Sequence, residues 1–206
     1  MVDDEAIVKR TFSLYAKYGI KSISVDEIAR DMGISKKTIY AHVKSRDHLI
    51  ERVVEFSIRQ FVQGLRSLIK PSDDVFTQLG VFYAYHIQQL RNFNPSFLPD
   101  LKKVNCKLFN RIKEVRDHHI YELAEEILQQ GIREGLFRDD LDVKYIYLSQ
   151  MAKVSAFTGI PVFDEKGPDF ELILFKLILN EIRGMTTEKG FSKINEKYDQ
   201  LLQLIK

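Results

Sequence analysis

A chain of 206 residues, with 45% hydrophobic and 29% charged side chains, suits one or two compact globular domains. Lysine and arginine number 31 against 29 aspartate and glutamate, which excludes a strongly basic nucleic-acid coat and an acidic disordered tail, so a nucleic-acid site has to be local. A single cysteine, Cys106, forms no internal disulfide and builds no thiolate cluster; Met1 to Lys9 holds no basic leader, and no apolar run approaches the roughly 18 residues that span a bilayer. The expectation is a cytoplasmic chain with no membrane partner. All 5 prolines lie at Pro71 or beyond, and alternating strand patterns with hairpin dipeptides are hard to find, so the fold class expected is all-α.

The spacing of Ile7, Thr11, Phe12, Leu14 and Tyr15 predicts a first helix over about 3–18, stopped by Gly19. Ser24-Val25-Asp26-Glu27 has the spacing of a capping box and starts a second helix, which ends at the tight turn of Gly33. Ser35 caps a third, very short helix through Val43, and Ser45 caps a fourth over about 46–69. That fourth helix is long enough, at 1.5 Å per residue, to leave one domain and enter another. Further helices are expected at 73–92, 143–158, 169–185 and 192–205. The stretch around Asn94 to Pro99 reads as broken, and 100–131 as one long helical region or two, with the break unplaced. Gly159, Pro161, Gly167 and Pro168 bracket a loop.

Three short helices within 48 residues, the second and third joined by a glycine turn, form a helix-turn-helix with its supporting first helix. The segments Ser24-Val25-Asp26-Glu27-Ile28-Ala29, Met32-Gly33-Ile34-Ser35, Thr38-Ile39-Tyr40-Ala41-His42-Val43 and Ser45-Arg46-Asp47-His48-Leu49 closely resemble the DNA-binding domain of the TetR family of bacterial transcriptional regulators. Gly131-Ile132-Arg133-Glu134-Gly135-Leu136-Phe137 looks like a turn common late in that family. The strong match covers about a quarter of the chain, and Ala41 and Val43 stand where the family often has a larger residue and a phenylalanine. Charge agrees independently: Lys36, Lys37, Lys44 and Arg46 fall between Gly33 and Arg46 with no acid among them.

Geometry and resemblance together give the expected DNA-binding residues. Ser35, Lys36, Lys37 and Thr38 open the recognition helix toward the major groove and a phosphate, with Lys37 the first candidate for a guanine edge. Tyr40 and His42 resemble the family's phosphate-binding pair, Ala41 can touch a thymine methyl, and Arg46 and Ser24 anchor the backbone. The plainer readings are that the serines only cap helices and that Tyr40 packs in the small core.

Reading an operator requires two heads about 34 to 36 Å apart. Phe170 to Ile182 is apolar on nearly all sides and is buried on two. Either it is a central helix of one subunit, or it presents Phe170, Leu174, Phe175, Leu177, Ile178 and Ile182 to a second copy. The resemblance implies the second, a homodimer closed by a four-helix bundle from 143–158 and 169–185. The last helix, 192–205, is an addition to the family's count and covers either the bundle or the partner. The aromatic middle, with Phe61, Phe82, Tyr85, His86, Phe97, Cys106, Phe109 and Tyr121, is either plain core or the pocket of a small, largely apolar effector, where the resemblance puts one. A ligand that prefers one spacing of the heads lowers affinity for DNA, with the fourth helix as lever.

No catalytic residue, metal or cofactor is expected. His118 and His119 are adjacent and diverge by about 100° on a helix, and no G-x-S-x-G or phosphate-cradling glycine loop occurs. The expected protein is therefore a homodimeric, TetR-like repressor, with a helix-turn-helix domain at 1–47 and a helical effector-binding and dimerisation domain at 48–206, released from a palindromic double-stranded DNA operator by a small molecule. The alternative is a helical ligand-binding or protein-interaction module without specific DNA binding.

Overall fold

The chain's computed structural model describes residues 3–92, 94, 96–159 and 170–205, and their regular structure is helical apart from a lone antiparallel bridge between Phe137 and Thr186. In order the helices are α1 (Asp4–Tyr18), α2 (Val25–Met32), α3 (Lys36–His42), α4 (Arg46–Leu68), α5 (Val75–Asn92), α6 (Phe97–Val104), α7 (Cys106–Arg133), α8 (Val143–Gly159), α9 (Phe170–Gly184) and α10 (Glu188–Leu202), followed by a short turn of 3-10 helix at Gln203–Ile205. The expected loop between Gly159 and Pro168, and the break at Pro95, lie outside the described residues.

The helix starts follow from side chains that satisfy otherwise orphaned amides. Asp3 accepts from the amide of Ala6 at 2.7 Å. Ser24 and Glu27 form the full reciprocal box, the amide of Glu27 donating to Ser24 Oγ at 3.2 Å and the amide of Ser24 to the Glu27 carboxylate at 2.6 Å. Gly33 ends α2 in the left-handed region at φ 64°, the geometry a glycine adopts without a steric cost.

One boundary left open by the sequence is placed, and two others differ from expectation. The region 100–131 divides at Asn105, whose side chain accepts from the amide of Leu108 at 2.9 Å and so caps α7. Pro99 does not break a helix; it sits in the first turn of α6, where an amide has no intrahelical acceptor to lose. The last helix starts earlier than expected, because Thr187 caps it by accepting from the amide of Gly190 at 3.1 Å.

Two compact units divide the chain, Met1–Gly64 with Asn92–Asp117, and Leu65–Arg91 with His118–Lys206. The first holds α1 to α3, most of α4, and α6 around a core of Ile7, Tyr15, Ile20, Ile28, Ile39, Leu49 and Val53, which Phe97 and Leu101 complete. Helix α6 is tied to the end of α1: the amide of Asn94 donates to the Ala16 carbonyl at 2.6 Å, and the amide of Lys21 to the buried Asp100 carboxylate at 3.0 Å. In the second unit α9 lies against α8, α10 and the 3-10 turn. Helix α10 and the 3-10 turn also pack on α5, with Leu201 and Leu204 beside Gly80, Lys197 paired to Asp74 just ahead of α5 at 2.8 Å, and Gln88 donating to the Leu204 carbonyl at 3.0 Å. Within the described residues, then, the added helix serves its own subunit.

Gly131 and Phe137 close the turn that follows α7. The amide of Leu136 returns to the Gly131 carbonyl at 2.8 Å, and the buried Phe137 ring lies on Gly131 and edge-on to Phe76, centroids 5.5 Å apart. A methyl at Gly131 falls 2.3 Å from that ring. Gly131→Ala is therefore expected to lower stability by about 1–3 kcal/mol through overpacking, read as a shifted midpoint in urea unfolding.

Candidate nucleic-acid interface

Helix α3 has seven residues, and one of them, Ile39, is buried; it is fully enclosed. Its remaining side chains are left to the surface, where Lys36, Lys37, Tyr40 and Ala41 are exposed. Tyr40 is 41% exposed, so it does not simply fill the small core. Ser35 accepts from the amide of Thr38 at 3.0 Å and shares a hydrogen bond with the Thr38 hydroxyl at 2.8 Å. The capping role expected of Ser24 and Ser35 is thus met, and both remain exposed at helix starts.

Charge pairing sorts the basic residues. Lys36 Nζ lies 2.8 Å from the Asp26 carboxylate of α2, which holds its ammonium charged. Lys37 and Lys44 are exposed and make no ion pair among the described residues. Arg46 differs from its expected place as an outer backbone anchor. It is partly buried, and its guanidinium donates to the Ile20 carbonyl at 2.9 Å, which fastens the turn between α1 and α2.

His42 is also engaged. Its Nδ1 lies 2.5 Å from one oxygen of Asp4 on α1, while Arg52 of α4 donates to the other oxygen at 2.6 Å. One carboxylate thus joins three helices of the first unit. Sequence spacing gave no sign of Asp4, Arg52 or Asp26 as partners, because they lie in other helices and only the fold brings them to α3. The hydrogen bond from Arg52, and then that from His42, hold Asp4 below the usual carboxylate range. Asp31 is lowered likewise by the Arg10 guanidinium, which donates to both its oxygens at 2.5 and 2.7 Å.

The expected effector residues fall in both units. In the first, Phe97 is a buried member of the core around α1 to α4, Phe109 packs partly buried against that core, Phe61 is partly buried and Cys106 is exposed. Phe97 therefore completes packing that positions the helix-turn-helix. In the second unit the rings of the buried Phe82 and His86 lie tilted against each other with centroids 4.5 Å apart, and His86 Nδ1 donates to the Phe82 carbonyl at 2.7 Å. Tyr121 donates to Glu125 at 2.9 Å and meets Tyr147 edge-on, and Tyr85 is partly buried.

The expected interface set requires correction. Leu174, Phe175, Ile178 and Ile182 are at most 1% exposed within the single chain, so they have no surface left to offer a partner; Phe170 is partly buried. Their apolar character serves the core of the second unit. Leu177 does face outward, at 45% exposure, and α8 exposes Tyr145 at 71% and Leu148 at 54%, a stripe the sequence does not mark because polar and apolar residues alternate around α8 without a single apolar side. Glu181 of α9 ties the two helices, accepting from Gln150 at 2.6 Å and pairing with Lys153.

A short second helix of a helix-turn-helix, basic on its outer side and free of core duty on most of its surface, is the reading head of a DNA-binding protein. Residues 7–53 match the family model described as bacterial regulatory proteins, tetR family. The chain is 25% identical over 147 residues to the HTH-type transcriptional repressor KstR2 of Mycolicibacterium smegmatis, covering 69% of this chain and 71% of that one. It is 23% identical over 141 residues to the fatty acid metabolism regulator protein of Bacillus subtilis, covering 67% and 72%. The structure of FadR from Bacillus subtilis in complex with stearoyl-CoA superposes with a TM-score of 0.69 at 20% identity, over 85% of this chain and 95% of that one. Residues 7–53 thus carry a DNA-binding domain of the kind that the tetR-family model describes. Among the described residues no helix is long and apolar enough to cross a membrane.

The lowered carboxylates set an acid limit. Asp31 binds its proton less readily in the folded head than in the unfolded chain, so its pairing with Arg10 contributes fully above the unfolded value of about 3.9 and is lost as pH falls through the lower folded value. Asp31→Asn is expected to remove part of the stability loss below about pH 4, seen as a smaller difference between melting temperatures at pH 7 and pH 3.

Proposed function

We propose that the protein is a repressor that binds a palindromic operator as a homodimer and is released by a small, largely apolar ligand. The functional division is a reading head at 1–47 and an effector-binding, dimerising body at 48–206. The observation that carries the DNA-binding part is the exposed, acid-free outer side of α3, with Lys37 and Tyr40 outermost. Lys37 reads a base edge, and Lys36, Tyr40 and His42 hold phosphates with Ser24, Ser35 and Thr38 at the helix starts. Lys44 joins them as a phosphate contact, and Arg46 acts mainly by fixing the α1–α2 turn.

Dimerisation follows from the need for two heads, since one helix-turn-helix reads a single half-site. The self-complementary surface is the outer side of α8 and α9, with Tyr145, Leu148, Ala152 and Leu177; exposed apolar residues at 145, 148 and 152 recur on one side of a helix. Release by an apolar ligand is supported by the aromatic residues of both units and by the stearoyl-CoA bound to the FadR relative. A ligand acts by favouring a dimer whose heads no longer match successive major grooves.

Lys37→Ala is expected to relax preference at one base position by about 1–3 kcal/mol, whereas Lys44→Ala weakens all sequences alike and reduces the salt dependence of binding. Identical behaviour of the two variants in competition binding overturns this division of roles. Leu148→Glu is expected to give a folded monomer by light scattering with little operator affinity; a persisting dimer moves the interface elsewhere.

A further inference from the structure

Asp4 does more than join helices, because a carboxylate decides which nitrogen of an imidazole carries its proton. An ionised carboxylate only accepts hydrogen bonds, so the 2.5 Å contact to Asp4 requires the proton of His42 to sit on Nδ1. The Arg52 guanidinium, 2.6 Å from the second oxygen, keeps Asp4 ionised and fixes its plane. A neutral His42 then turns a bare lone pair at Nε2 outward, and that nitrogen forms no hydrogen bond among the described residues. A lone pair cannot donate to a phosphate oxygen, and the two repel. Only the imidazolium, protonated on both nitrogens, presents an N–H there.

We propose that Asp4 is a positioning residue that locks the His42 tautomer, so that each head takes up one proton onto His42 Nε2 when it grips a DNA phosphate. The charged groups gathered on the ring's Nδ1 side are Asp4 from α1 and, through it, Arg52 from α4. His48, at the start of α4, is turned to accept from the amide of Lys44 at 3.1 Å, and Asp47 beside it is exposed. The ring itself keeps 28% of its side-chain surface exposed, so it is reachable from outside the fold. Without Asp4, the single proton of neutral His42 is free to move to Nε2 and donate to phosphate at any pH.

The inference rests on the DNA-binding reading above, and the test separates the two. The full chain is titrated by fluorescence anisotropy against a labelled duplex carrying an inverted repeat selected from a randomised pool, at constant ionic strength between pH 5.5 and 8.5. Wild-type affinity is expected to fall as pH rises across this range, toward tenfold per pH unit for each head. Asp4→Ala should flatten that fall to less than half its slope, and His42→Gln should abolish it, with melting curves showing all three proteins folded. Calorimetry in two buffers of different ionisation heat should give proton uptake for wild type and none for His42→Gln. Tight but pH-flat wild-type binding, an unchanged slope in Asp4→Ala, or a slope that persists in His42→Gln overturns the proton lock while leaving the DNA reading intact. Failure to bind any selected duplex across the whole range overturns the DNA reading itself.

Discussion

A helix of seven residues has little stability of its own, because forming the first turn costs conformational entropy that so few hydrogen bonds do not return. Helix α3 exists because other elements hold it. Ile39 anchors it in the core, the Ser35 cap closes its start, Lys36 pairs with Asp26 of α2, and His42 reaches Asp4 of α1. Three of those four ties use the flanks and ends of the helix. Its outer side is thereby left without internal duties, and an outward basic rod held at fixed angle is what reading a groove requires.

Fixing that rod also depends on parts far away in sequence. Phe97 and Leu101 of α6 enter the same core as Ile7 and Ile28, and Asp100 holds the amide of Lys21 in the turn that Arg46 grips through the Ile20 carbonyl. Gly19 permits this closeness: at φ 86° it takes a backbone that side chains avoid, and a methyl on it would lie 2.3 Å from Ser96 Oγ. The helix-turn-helix is therefore not sealed by its own three helices. A segment that begins about fifty residues after it supplies one wall, so α6 and the helix-turn-helix share one core.

What could be read from the sequence was local. Caps act over three residues, so Ser24-Glu27 and Ser35 were legible, as was Gly33, whose turn demands positive φ. The basic, acid-free stretch from Lys36 to Arg46 was legible for the same reason. Partners set by tertiary folding were not. Nothing near His42 announces Asp4, and nothing near Arg46 announces the Ile20 carbonyl. The apolar run from Phe170 to Ile182 shows where periodicity loses its information: a helix hydrophobic on all sides says that it is covered, not by what. Its own chain covers Leu174, Phe175, Ile178 and Ile182, and leaves Leu177 exposed. The residues expected at an effector site were blurred likewise, since Phe97 packs as core while Cys106 is exposed.

The central claim is that the outer side of α3 selects base sequence as one of a pair. Selection from a pool of randomised duplexes by the full chain tests it directly. The account predicts enrichment of an inverted repeat whose half-site centres lie about 10 base pairs, or a multiple of that, apart. A pool that stays random after repeated rounds, or one enriched only in single, unpaired half-sites, would contradict it.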